Sequence, residues 1–477
     1  MNDNLDQLIS RRSMLRRGSC AALGVAGIGS QLLTGRAIAA ALDGAMFNDY
    51  RALVCVFLFG GNDSGNTLIP IDGGNQNHAD YVAQRSNLAI PLAKLGATTI
   101  SPQNTSGRRF ALHPSLTGVK SLFDQGNAAL IANVGTLLQP TTKAQYTNGS
   151  VPVPNQLFAH NIQQEQWQLS RPDATDGFGW GGRLADMLQA NGTNPNATVS
   201  MNISIAGTNQ FLSGRNVNSY VLGTEGPPGI DGNFERAFFD MIGAANDPNQ
   251  PNRNAMVKSV NDITQRALTS NQLVEGILSS SSQITHAPPP GNELAAQLQT
   301  VARLIEQGQN GLSHNRQIFF VAIGGFDNHD GLVGPNGAGG PHAGLMTAVD
   351  QALMYFWNAL GQIGKRDNVT TFTASDFGRT FRSNGNGSDH GWGAHHLVMG
   401  GSQVRGNRLY GSFNNIAVDG PDDTGLGRFI PTTSVDQYGF ELARWMGVPV
   451  SEIATVFPNI SRFLDPSNAA THLGFMA

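Results

Sequence analysis

Residues 53–59, Leu-Val-Cys-Val-Phe-Leu-Phe, contain no polar position and stop at Gly60-Gly61-Asn62-Asp63. A half-buried strand alternates apolar and polar residues. A run that is apolar throughout must be covered on both faces, as in the centre of a parallel sheet. Residues 317–323 are apolar after Gln317 and stop at Gly324-Gly325-Phe326-Asp327. Residues 369–374 give a third strong strand, ending in Ser375-Asp376. Further strands are expected at 128–134, 198–205 and 219–222. Helical period runs through 115–125, 155–169, 255–278, 293–307, 343–361 and 435–446. Strands alternating with helices predict an α/β fold with a central, mostly parallel sheet sandwiched by helices. Such sheets take ligands outside the carboxyl ends of their strands. Asp63, Asp327 and Asp376 all fall at those ends.

The first 41 residues stand apart from this pattern. Ser10-Arg11-Arg12-Ser13-Met14-Leu15 resembles a twin-arginine signal, followed by a weakly apolar, Gly-rich stretch and Ala37-Ile38-Ala39. Cleavage is expected near Ala39, after export by the twin-arginine translocase, leaving a periplasmic or secreted protein. Residues 42–477 then form one domain, with a helical insertion around 231–311. Residues 1–39 hold five Arg and two Asp, so their removal takes the net charge from −4 to −7, His counted neutral. A mildly acidic chain with five Lys is a poor nucleic-acid or anionic-membrane binder. No later segment has the roughly 18 uninterrupted apolar residues of a membrane helix, so an integral membrane protein is not expected. Cys20 lies in the signal, leaving Cys55 without a partner for an intrachain disulfide.

Histidines are unevenly placed. Of 11, five lie between His329 and His396. The surrounding motifs are Asp327-Asn328-His329-Asp330 and Ser388-Asp389-His390-Gly391-Trp392-Gly393-Ala394-His395-His396. Neutral imidazoles and carboxylates are natural ligands for zinc and similar divalent ions. Acidic groups gathered at one sheet edge repel each other unless a cation or protons neutralise them. Asp389-His390 and His395 or His396 are therefore expected to fold back over that edge. Read singly, each residue also has a plain structural role: Asp after a strand caps a helix, and His beside Gly sits in a loop. Ser64 is a candidate nucleophile or an ordinary turn residue. His113 and His160 are candidates with the same alternative. Arg379 is placed to pair with Asp376 or to hold an anion.

Four stretches resemble the bacterial family known as domain of unknown function 1501. They are 53–70 (LVCVFLFGGNDSGNTLIP), 316–331 (RQIFFVAIGGFDNHDG), 369–411 and 434–448 (SVDQYGFELARWMGV). The resemblance spans nearly the whole mature chain. That family looks like a remote relative of alkaline phosphatases and sulfatases. The likeness implies a metal site built from an Asp after the first strand, an Asp/His pair, an Asp-His and a late His. Asp63, Asp327 with His329, Asp389-His390, and His395 or His396 match these positions, with Asp376 as a further ligand. The implied cofactor is a divalent metal, zinc, manganese or calcium. The implied substrate is a small anionic ester of phosphate or sulfate, steadied by Arg379. Two departures stand out. Phe377 occupies the His position of the sulfatase Ser-Asp-His-Gly, and Ala159-His160 stands where other members carry Ser-His. Two functions follow: an exported metal-dependent hydrolase, or a non-catalytic exported binding or surface-assembly protein that keeps the fold.

Overall fold

A computed structural model describes residue 47 and residues 49–74, 76–174, 177–227, 255–334, 337 and 339–477. The expected signal, 1–41, lies outside the described residues, as does 231–254 of the expected insertion.

Twelve strands are present among the described residues: β1 (Arg51–Leu58), β2 (Leu68–Pro70), β3 (Thr99–Ile100), β4 (Phe110–Leu112), β5 (Ala128–Gly135), β6 (Asn202–Ser204), β7 (Tyr220–Val221), β8 (Arg316–Ile323), β9 (Val369–Ser375), β10 (Ala394–Met399), β11 (Leu409–Tyr410) and β12 (Thr433–Ser434). Nine form the main sheet, in the order β11-β5-β10-β9-β1-β8-β6-β7, with β12 also paired to β5. β1 is central and parallel to both β8 and β9. Its side chains divide by parity. Ala52, Val54, Val56 and Leu58 enter one core, while Leu53, Cys55 and Phe57 enter the other. Burying such a side chain stabilises by about 1.5–3 kcal/mol. An acidic residue at Val54 would therefore lose that term and bury an unpaired charge.

Helices cover both faces. Glu293–Glu306 and Pro341–Gln362 pack on the first core, and Trp180–Ala190 and Val435–Met446 on the second. Val435–Met446 shows how sequence sets a boundary. Ser434 caps its start in a reciprocal pair with Gln437, and Gly447 ends it in the left-handed region. Among the described residues, no helix is long and apolar enough to cross a membrane.

The expected strand at 198–205 is shorter, Asn202–Ser204, with all three residues paired to β8. β10 is unexpected, and it runs antiparallel to its neighbours β9 and β5. The chain leaves β9 at Ser375 and re-enters the sheet at Ala394 without the crossover helix that a parallel return needs. Residues 376–393 therefore lie over the carboxyl edge of β1, β8 and β9. His395 and His396 do not fold over that edge with Asp389-His390. They are inside β10, buried.

Candidate metal centre

The Gly-Gly turns bring the three strand ends together. Gly60 and Gly61 have φ of +113° and +79°. A Cβ on Gly60 would meet the Asp327 nitrogen at 2.5 Å, and one on Gly61 would meet the Phe377 ring at 2.6 Å. Only glycine allows both the backbone and this approach. The Gly60 N–H reaches both Asp376 carboxylate oxygens at 3.2 Å, and its carbonyl accepts from Arg379 Nη1 at 3.0 Å.

Four ligand-type atoms converge there. His160 Nε2 and His390 Nε2 are 3.0 Å apart, and His390 Nε2 and His329 Nε2 are 2.8 Å apart. Asp327 Oδ1 lies 3.3 Å from His160 Nε2, 3.0 Å from His329 Nε2 and 3.2 Å from His390 Nε2. These four side chains keep between 21% and 45% of their surface exposed, so the cluster is open to solvent.

Behind each imidazole stands an acceptor. His160 Nδ1 is 2.7 Å from Asp376 Oδ2, His329 Nδ1 is 3.0 Å from Asp389 Oδ1, and His390 Nδ1 is 2.6 Å from the Phe158 carbonyl. A carbonyl or carboxylate oxygen can only accept, so each Nδ1 carries a proton, and in the neutral ring Nε2 then presents a lone pair. Three imidazole nitrogens and a carboxylate oxygen thus face one another. They repel unless protons or a cation sit among them. Nitrogen ligands about 2.0–2.1 Å from a tetrahedral zinc ion lie roughly 3.3 Å apart, close to the observed spacings. His160, Asp327 and His390 form a group that could hold a metal ion, with His329 against two of the three.

The surroundings tune these groups. Hydrogen bonding to Asp376 holds the His160 pKa above its ordinary value. Burial lowers that of His390, opposed by the Phe158 carbonyl. Burial would raise Asp327, but the hydrogen bond and charge of Arg379 prevail and hold it down. Asp389 is also lowered: burial opposes the shift, and hydrogen bonds from Asn384 and His329 outweigh it. Gln164, one helical turn after His160, donates to Asp376 Oδ2 at 2.8 Å. The His160–Gln164 spacing was visible in the sequence; the Phe158 carbonyl leaves no side-chain signal there. Arg379 donates to Asp327 at 2.7 Å and to Ser388, and its side chain is fully buried.

Other candidates have different partners. Asp63 is buried in an ion pair with Arg85, which also donates to the Thr380 and Phe381 carbonyls at 3.1 Å. Ser64 is buried in the following turn, and among the described residues no hydrogen bond joins its hydroxyl to the clustered histidines. His395 Nδ1 accepts from the Asn133 N–H at 3.0 Å, and its ring stacks on Phe413. His396 stacks on Tyr438. Phe377, in the departing sulfatase position, lies with its ring centre 4.8 Å from those of both His160 and His390.

Similar architecture occurs in solved structures. Ps i-CgsB in complex with k-i-k-neocarrahexaose is 12% identical, with 88% of this chain and 78% of that one covered and a TM-score of 0.35. The PsFucS1 sulfatase from Pseudoalteromonas sp. is 11% identical, over 87% and 72%, with a TM-score of 0.33. The wild-type alkaline phosphatase PafA is 11% identical, over 70% and 63%, with a TM-score of 0.28. Likeness at this level carries no argument about chemistry, which rests on the atoms above. No curated protein matches the chain. The sequence model of the family described as "Protein of unknown function (DUF1501)" matches residues 50–424, and the chain belongs to that family.

Proposed function

We propose that the protein is a metal-dependent hydrolase of small anionic esters, of phosphate or sulfate, with His160, Asp327 and His390 as ligands and His329 as a fourth donor. One observation carries this reading. Three histidines whose Nδ1 protons are fixed by acceptors turn their Nε2 atoms onto one carboxylate oxygen. Such outer acceptors orient ligands and raise their basicity. Zinc suits the imidazole-rich set best, ahead of manganese and calcium. When bound, a divalent ion supplies Lewis acidity, polarising an ester oxygen and lowering the pKa of water. Asp376 and Asp389 hold the His160 and His329 protons, and Arg379 orients Asp327 while balancing its charge. The open face of the cluster admits substrate and water. Asp63, Ser64, His395 and His396 have no part in this chemistry.

The test is elemental analysis of folded protein from metal-replete medium. Wild type should carry stoichiometric metal, preferentially zinc, and His390→Ala should lose it while remaining folded. Metal-free wild type whose melting ignores chelator and added zinc, manganese or calcium would sink the reading. It would leave the exported binding or assembly protein, which the burial of the Ser64 hydroxyl-bearing turn favours. We assign the chain to the periplasm or the medium, through the Arg11-Arg12 signal. Replacing both arginines by Lys should trap precursor inside the cell, and unchanged export of the double variant would refute the route.

A further inference from the structure

A fixed cation beside the metal site would help hold an anionic ester, and Arg379 is poorly placed for that role. Its side chain is fully buried, and its nitrogens are engaged by Ser388, Gly60 and Asp327. Arg428 differs. Its Nε donates to the His390 carbonyl at 2.9 Å, and its guanidinium carbon lies 4.6 Å from the centre of the Phe158 ring. Phe158 is the residue whose carbonyl receives the His390 Nδ1 proton at 2.6 Å. Phe158 therefore holds both the arginine and the proposed ligand His390.

The Arg428 backbone is fixed as well. Its carbonyl accepts from the Thr424 N–H at 3.1 Å and the Thr424 hydroxyl at 2.9 Å, and its N–H donates to Gly425 at 3.2 Å. Among the described residues nothing bonds its Nη1 or Nη2. A stacked guanidinium, anchored through Nε with its two terminal nitrogens unengaged, is a preorganised fork for paired oxygens.

We propose that Arg428 is the specificity-determining residue for the substrate, binding two oxygens of a tetrahedral oxyanion whose remaining oxygen faces the His160, Asp327 and His390 cluster. The assignment rests on the hydrolase reading above. Phosphate and sulfate share the oxyanion chemistry. A planar carboxylate has no third oxygen for the cluster and binds more weakly.

The experiment titrates the zinc-loaded full chain with inorganic phosphate, sulfate and acetate by calorimetry, and measures zinc on the same samples. Wild type should bind phosphate or sulfate in preference to acetate. Arg428→Gln should weaken that binding by roughly tenfold to a hundredfold, the effect of losing charged hydrogen bonds, with zinc content unchanged. Arg428→Lys should fall between, keeping the charge and losing the fork. Wild type that binds no oxyanion overturns the proposal. So does Arg428→Gln that binds like wild type while holding zinc. Loss of zinc from both variants would make the side chain only a brace for His390, and overturns it too. Wild type that takes up no zinc, yet binds phosphate in an Arg428-dependent way, would overturn the metal reading and leave this one standing.

Discussion

Asp327 and Asp63 follow equivalent Gly-Gly turns on adjacent parallel strands, yet they meet opposite environments. Asp327 is partly exposed, with three imidazole nitrogens within 3.3 Å of one oxygen. Asp63 is sealed against Arg85, with its other oxygen unpartnered. The histidines divide in the same way. In the cluster each Nδ1 is held by an acceptor and each Nε2 points inward. Elsewhere, His113 and His395 accept backbone N–H groups at Nδ1, and His342 meets Asn62 through Nε2. Burial lowers the pKa of His113, His342 and His396 to about 3, and that of His395 to about 4. Residue type and strand-end position are common to both regions. What separates a ligand set from a buried polar set is whether lone pairs converge where solvent can reach them.

The sharpest way to break this contrast is Arg85→Ala. It leaves the Asp63 carboxylate buried and unpaired, which costs about 3–5 kcal/mol. Chemical denaturation should show that loss, while the folded fraction keeps the metal content of wild type. Metal loss at wild-type stability would instead place Asp63 in the site and erase the distinction.

A smaller effect is expected on the other side. Asp376→Asn replaces one acceptor by an amide whose nitrogen cannot accept the His160 proton. Turning the amide to offer its oxygen to His160 takes its nitrogen to the other carboxylate position, against the Gly60 N–H. Either arrangement sets donor against donor. Metal affinity should fall about 10–100-fold, the usual range for losing such an outer partner. Competition with a chromophoric chelator measures it. An unchanged affinity would mean that Asp376 does not set the His160 tautomer.

Much of the frame was legible. Residues 53–58, 317–323 and 369–374 lie within β1, β8 and β9, and the first two are largely apolar runs stopped by Gly-Gly, which have few other solutions. Helix 435–446 was legible at both ends through Ser434 and Gly447. Asp327, His329, His390 and His160 could be named as candidates, since they carry the right atoms. Their separation from Asp63, His395 and His396 was not legible. It depends on β10, where two polar-looking histidines hide a strand start, and on Arg85, which reaches Asp63 from 22 residues away. Arg428 likewise gains its meaning only from the His390 carbonyl and the Phe158 ring.

The smallest effect tests the buried histidines through pH. The folded pKa of His396 is lowered to about 3 by burial, then by the nearby His395. Unfolded histidine titrates near about 6.5. As pH falls below that value the unfolded chain gains a proton that the folded chain refuses. Stability is therefore lost from about pH 6.5 downward, by up to about 1.4 kcal/mol per unit, or roughly 2 kcal/mol by pH 5. His396→Phe removes this proton. At pH 7 it should stay within about 1 kcal/mol of wild type, because the ring can keep its stack on Tyr438. The polar loss is slight: Nε2 has no partner, and the contact from Nδ1 to Thr373 is long at 3.4 Å. The variant should thus match wild type at pH 7 and exceed it at pH 5. His160 has the opposite sign. Its pKa is raised, so in metal-free protein it adds stability that is present below about pH 6.5 and lost as pH rises through its folded value. Metal-free His160→Gln should then be weakest relative to wild type at pH 5, where His396→Phe is strongest. Denaturant midpoints for both variants across pH 5–8 would show the crossing, and parallel profiles would mean that the two sets of histidines share one environment.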